Sequence, residues 1–208
     1  AIVKSYDPNS VISGEGAMTK DLIQVADVDF RNVNITSILA VFVIILISFC
    51  SLSIPVLLVG SIESAIFINM GIPYFTGIQL PFVASIVVGT IQLGATVDYA
   101  ILTTTRFKEE LQNGRTVKEA AHISVEQCSQ SILTSGLTFF AATASVAAIS
   151  QMELISSLCE LISRGALISM LVIILILPAL LIVFAPVIAR TTRRWPKVQK
   201  AASTGKEV

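Results

Sequence analysis

Apolar residues fall into five runs, at about 35–54, 56–72, 81–105, 129–150 and 166–189, separated by short polar or proline-marked breaks. Each is long enough, at roughly 17–25 residues, to cross the hydrocarbon core of a bilayer as one α-helix. Pro55 is expected to end the first run and Pro73 the second. Ahead of them, residues 1–34 are polar and mixed, with turn residues at Tyr6-Asp-Pro-Asn-Ser and Ser13-Gly-Glu-Gly16. Met18, Leu22, Val25 and Ala26 then recur at helical spacing, which predicts a short amphipathic helix leading to the membrane. Between the third and fourth runs the helix is expected to continue through Arg106-Phe-Lys-Glu-Glu-Leu-Gln112 and stop at Asn113-Gly114. Thr116-Val-Lys-Glu119 reads as a capping box opening the next helix.

Composition fits that pattern. Of 208 residues 54% are hydrophobic and only 13% charged, with mean hydropathy +0.82. A soluble domain would carry about 25% charge, so the chain is read as an all-α integral membrane protein. Lys and Arg cluster after the third run (Arg106, Lys108, Arg115, Lys118) and in the basic tail 190–208. Five crossings put those two segments on one side, and the excess of positive charge makes that side cytoplasmic. The amino-terminal segment is then extracytoplasmic. Ala1 reads as the cut edge of a longer protein. Cys50, Cys128 and Cys159 lack metal spacing and read as small apolar residues, so no metal or cofactor is expected, and nothing points to nucleic acid.

The candidate chemistry lies in the third run. Asp98 sits about two thirds of the way along it, where an ionised carboxylate costs roughly 2.5–3.5 kcal/mol on insertion scales. Positions 91, 94, 95, 98, 101, 102 and 105 share a helical face, so Asp98 looks across Gly94 and Ala95. A carboxylate shielded from water can exchange protons near neutral pH, and the adjacent Tyr99 hydroxyl can donate to it. The same pair could instead form a structural hydrogen bond between helices. On the fourth run Ser131, Thr134, Ser135, Thr138, Ala142 and Ser145 form one stripe. It is expected to pack against the third helix, with Thr134, Ser135 or Thr138 placed to support Asp98. Glu63, with Ser61, Ser64 and Asn69 around it, is a further polar membrane candidate. Arg164 is read as an interface anchor, with pairing to Glu160 or Glu153 as the alternative, and His122 as a solvated loop residue.

Gly94-Ala-Thr-Val-Asp98-Tyr99-Ala-Ile-Leu-Thr-Thr-Thr-Arg106-Phe-Lys-Glu-Glu resembles the Asp-Tyr helix of the MMPL transporters, a branch of the resistance–nodulation–division superfamily. Ser135-Gly-Leu-Thr-Phe-Phe-Ala-Ala resembles the helix after it, and Ser163-Arg-Gly-Ala-Leu-Ile-Ser-Met with Leu177-Pro-Ala-Leu-Leu resembles the last helix of a repeat. Ser13-Gly-Glu-Gly-Ala-Met-Thr-Lys-Asp-Leu resembles the end of the extracytoplasmic domain. The resemblance implies two six-helix repeats, of which this chain holds the last five helices of one. It further implies a proton relay at Asp98 and Tyr99 that drives export of lipids or other amphiphiles across the cytoplasmic membrane. The partners implied are the bilayer, an amphiphilic substrate and the repeat that the chain lacks.

Other classes fit less well. An intramembrane aspartyl protease needs two membrane aspartates on different helices, and a rhomboid-type serine protease needs a membrane histidine, so no enzymatic activity is expected. A non-transporting relative, such as a sterol-sensing receptor segment or a secretion-motor subunit, would share the helix arrangement.

Overall fold

The computed structural model describes residues 15–77 and 82–192. Its helices are α1 (Glu15–Phe49), α2 (Ser53–Thr76), α3 (Phe82–Gln112), α4 (Val117–Ile149), α5 (Glu153–Leu171) and α6 (Leu177–Thr191), the last two joined without a break by a π-helix, Val172–Ile176. Among the described residues, five stretches are long and apolar enough to span a membrane: Val28–Phe49, Ser53–Thr76, Ile86–Gln112, Val117–Ile149 and Glu153–Thr191. The chain is an all-α, multi-pass membrane protein. The turn-rich segment before residue 15 and most of the basic tail lie outside the described residues.

Two boundaries differ from expectation. The lead-in helix and the first span are one helix of 35 residues, because no glycine or proline interrupts the chain between Ala17 and Phe49. That helix ends at Phe49, short of the expected limit at 54. Cys50 takes a positive φ of 48°, and Ser51 forms an antiparallel bridge with Thr192. Pro55 does not end a helix. It lies in the first turn of α2, where the missing N–H would have had no helical partner anyway. The predicted stop at Asn113-Gly114 is where α3 ends, with Gly114 at φ 83°. The capping box forms as its spacing predicts, with Glu119 N–H donating to Thr116 Oγ1 (3.4 Å) and Thr116 N–H to Glu119 Oε2 (3.0 Å).

The π-helix follows from Pro178. A proline there supplies no N–H for the Ile174 carbonyl and its ring crowds that group, so the preceding turn widens. The Leu177 N–H accordingly donates five residues back, to Val172 O.

One end of the bundle gathers the α1–α2 turn and the carboxyl end of α6. Ser51 and Thr192 hydroxyls meet at 2.7 Å, as do those of Ser53 and Thr191. Lys108 of α3 lies 5.9 Å from the Phe49 ring centre, so the basic stretch after the third span shares this end. The apolar core fills this half, through Ile45, Phe49, Ile54, Leu58, Phe107, Leu177, Leu181 and Ile188. A second, smaller cluster of Ala84, Val88, Leu161 and Ile162 closes the opposite end. Lipid is as apolar as these side chains, so close packing and interhelical hydrogen bonds hold such a bundle more than burial does. The hydrogen bonds concentrate between the two clusters.

Candidate functional site

Helix α3 has two contrasting flanks. Gln92, Thr96, Ala100, Thr103 and Phe107 are buried against the other helices. Ile91, Gly94, Asp98, Leu102 and Thr105 form the opposite stripe and are exposed. Asp98 is about 24 Å along the helix from Phe82, near its midpoint. Tyr99 stands at the edge between the flanks, half-buried. It lines a narrow crevice with Gln92, Ala95 and Thr96 of α3, Gly136 and Phe139 of α4 and Ala166 of α5, holding about 10 Å³ of free space.

Arg106 Nε donates to Gln127 Oε1, which registers α3 against antiparallel α4. Counting eight residues back along α3 and forward along α4 from that pair sets Ser135 at about the height of Asp98. The crevice between the two helices is lined on α4 by Gly136 and Phe139, however, and not by the predicted stripe. Ser131, Thr134, Ser135, Thr138, Ala142 and Ser145 are all exposed. The cause is angular: Gly136, one position beyond Ser135, turns towards α5, where a Cβ on it would meet Met170 Sδ at 2.9 Å. Thr134 and Thr138 hydroxyls donate to carbonyls of their own helix, of Gln130 (2.8 Å) and Thr134 (2.7 Å). No hydrogen bond joins Asp98 to Thr134, Ser135 or Thr138 among the described residues. Asp98 thus stands on an exposed stripe that mixes Gly94 and Thr105 with the apolar Ile91 and Leu102, and the stripe of α4 is exposed as well.

Glu63 of α2 is half-buried, and its Oε1 is buried without a hydrogen-bond partner among the described residues. Ser61 and Ser64 donate to their own helix, to Leu58 O and Gly60 O. His122 is exposed, 3.8 Å from Glu126.

The densest polar contact was not legible as a unit in the sequence. Asn69 Nδ2 donates to Gln92 Oε1 and to Leu161 O, both at 3.0 Å. Gln92 Nε2 donates to Gly165 O (3.2 Å) and Ser169 Oγ (2.7 Å). Arg164 Nε donates to Asn69 Oδ1 (3.0 Å) and its Nη2 to the Asn69 backbone carbonyl (3.3 Å). Helices α2, α3 and α5 are thereby clamped at one height. Gly165 makes room for the clamp: a Cβ there would lie 2.5 Å from both Asn69 Nδ2 and Gln92 Oε1. Arg164 forms no ion pair with Glu160 or Glu153. Its partner follows from Pro73, which stands four residues after Asn69 and cannot donate to the Asn69 carbonyl, leaving that oxygen for the guanidinium. The Asn69-x-x-x-Pro73 spacing is the signal that could have pointed to it.

The MMPL family matches the chain over residues 7–204. The protein named membrane protein SCO6666 of Streptomyces coelicolor is 30% identical over 174 residues, which cover 82% of this chain and 24% of that protein. The protein named membrane protein YdgH of Bacillus subtilis is 29% identical over 140 residues, covering 62% of this chain and 15% of that protein. The chain thus spans about a quarter or less of the length of these relatives. No solved structure matches it.

Proposed function

Since the chain belongs to the MMPL family, we propose that it forms the last five membrane helices of one repeat in a transporter of the resistance–nodulation–division type, driven by the proton-motive force. Asp98 is the proton-relay carboxylate and Tyr99 sets its hydrogen bonding. Thr134, Ser135 and Thr138 bear on the relay through the surface they share with it. The cargo is a lipid or another amphiphile, exported across the cytoplasmic membrane, with the carboxyl terminus in the cytoplasm.

One observation carries this reading: a carboxylate at mid-helix on an exposed, largely apolar face of α3, between Ile91 and Leu102. Left against lipid, that carboxylate would cost roughly 2.5–3.5 kcal/mol. Protein must therefore cover it in the complete molecule, and the other repeat is the natural cover. One charge crossing the membrane potential yields about 2.3 kcal/mol per 100 mV, comparable to that cost.

Asp98→Asn in the full-length protein tests the relay. Asn is nearly isosteric but carries no exchangeable proton at neutral pH, so insertion should be normal and transport abolished. Tyr99→Phe should weaken transport less, because the ring remains. Normal transport by Asp98→Asn would mean that the carboxylate is structural.

A further inference from the structure

Arg164 carries a positive charge within the membrane-spanning rod Glu153–Thr191, yet no carboxylate pairs with it among the described residues. Its guanidinium is held at one edge only. Nε and one Nη2 proton go to Asn69, which leaves Nη1 and the second Nη2 proton on the opposite edge. Arg164 is half-buried, so part of it is accessible from outside the bundle. A planar fork with two parallel donors is the geometry that matches a phosphate or carboxylate.

The height suits a lipid headgroup. Asn69 lies 16 residues beyond Ser53, about 24 Å along α2, against a hydrocarbon core of about 30 Å. Helical side chains lean towards the amino end of their helix, which for α5 is the end where α2 terminates. The guanidinium, held at the height of Asn69, lies about 6 Å inside the headgroup interface, a depth that local bilayer thinning around a charged side chain bridges. Tyr74 and Phe75, 86% and 87% exposed, stand just beyond Pro73 and mark that interface as aromatic residues do at membrane surfaces. Below Arg164 on the same outward stripe come Ile168, Leu171 and Leu175, the last two 53% and 66% exposed. A charged fork thus sits above an apolar strip. Gln92, which faces this clamp, lies about 120° around α3 from Asp98, so the clamp and the Asp98 face are turned apart.

We propose that Arg164 binds the phosphate of a bilayer phospholipid, with the acyl chains lying along Ile168, Leu171 and Leu175. Asn69 is the positioning residue: its side-chain and backbone oxygens fix the guanidinium plane before any lipid arrives. The inference rests on this geometry and not on the transport reading.

Native mass spectrometry of the full-length protein with added phosphatidylglycerol tests it, beside Arg164→Gln and the double variant Leu171→Ser/Leu175→Ser. Wild-type protein should hold the lipid about tenfold more tightly than Arg164→Gln, as loss of a charge-assisted pair implies. The double variant alters only exposed positions and should also bind more weakly. Equal retention by wild type and a folded Arg164→Gln would overturn the proposal. If Arg164→Gln does not fold, the double variant decides, and unchanged retention by it overturns the proposal. Inorganic phosphate at millimolar concentration is the competing probe. Displacement of the lipid by phosphate, together with unchanged binding by the double variant, would make this a free-anion site and refute the lipid assignment.

Discussion

Gly165→Ala is the sharpest probe of how the bundle is held together. The added methyl would stand 2.5 Å from Asn69 Nδ2 and Gln92 Oε1 and 2.9 Å from Gln92 Cδ, where ordinary contact begins at 3.4 Å. Both amides must retreat by about 1 Å, which breaks the bonds from Asn69 to Gln92 and from Gln92 to Gly165 O and Ser169 Oγ. Interhelical hydrogen bonds in membranes average about 0.6 kcal/mol, so three contribute about 2 kcal/mol. Overpacking adds roughly 1–3 kcal/mol. The better helix propensity of alanine returns about 1 kcal/mol. The net loss is about 3 kcal/mol. Reversible denaturant unfolding of the full-length protein in detergent should show it as a lower midpoint, with Gly60→Ala as the control, since a Cβ at Gly60 meets nothing within 4 Å. If Gly165→Ala unfolds at the same midpoint as Gly60→Ala, the amides do not pack over Gly165 and the clamp is wrong.

The remaining predictions concern the end of the bundle that carries the basic stretch. Thr116→Ala removes the capping hydroxyl of α4 and should destabilise that helix start by about 1 kcal/mol, read as faster amide exchange at residues 117–120, with Thr116→Ser restoring protection. Unchanged exchange would show that the cap contributes nothing. A cysteine placed at the exposed Arg115 should resist a membrane-impermeant thiol reagent added outside intact cells and react once the membrane is opened. Ready labelling from outside would invert the proposed topology.

The membrane class and the approximate spans were legible because they depend on local quantities. Run length and the Thr116–Glu119 spacing each act within a single stretch of chain. Which flank of α3 turns inward was not legible. Gln92, Thr96 and Thr103 on one side and Gly94, Asp98 and Thr105 on the other are equally polar, and a membrane helix can turn such residues towards its own bundle or towards another protein surface. Burial separates them, with Gln92 and Thr96 each 2% exposed and Asp98 on the open side. The stripe on α4 was traced as a stripe but stands exposed instead of packed, because helical periodicity groups residues without saying what they face. The clamp brings together positions 69, 92, 165 and 169, and no local rule relates residues so far apart.

The two flanks of α3 divide the work of the helix. Gln92 is tied to α2 and α5 by hydrogen bonds that use both of its amide protons and its oxygen. Asp98, six residues on, has no partner inside the described bundle. If Asp98 gains and loses a proton as proposed, the change in charge acts first on whatever covers that face. Its own bundle is held on the other side by the Asn69 and Gln92 amides, with the Arg164 guanidinium on Asn69, in bonds that do not depend on that proton. A neutral amide suits position 92, since a carboxylate there would titrate with its surroundings and blur the two roles. Proton uptake would therefore move this bundle as a unit against its cover, and a conformational signal would appear at the Asp98 face before it appeared between α2, α3 and α5.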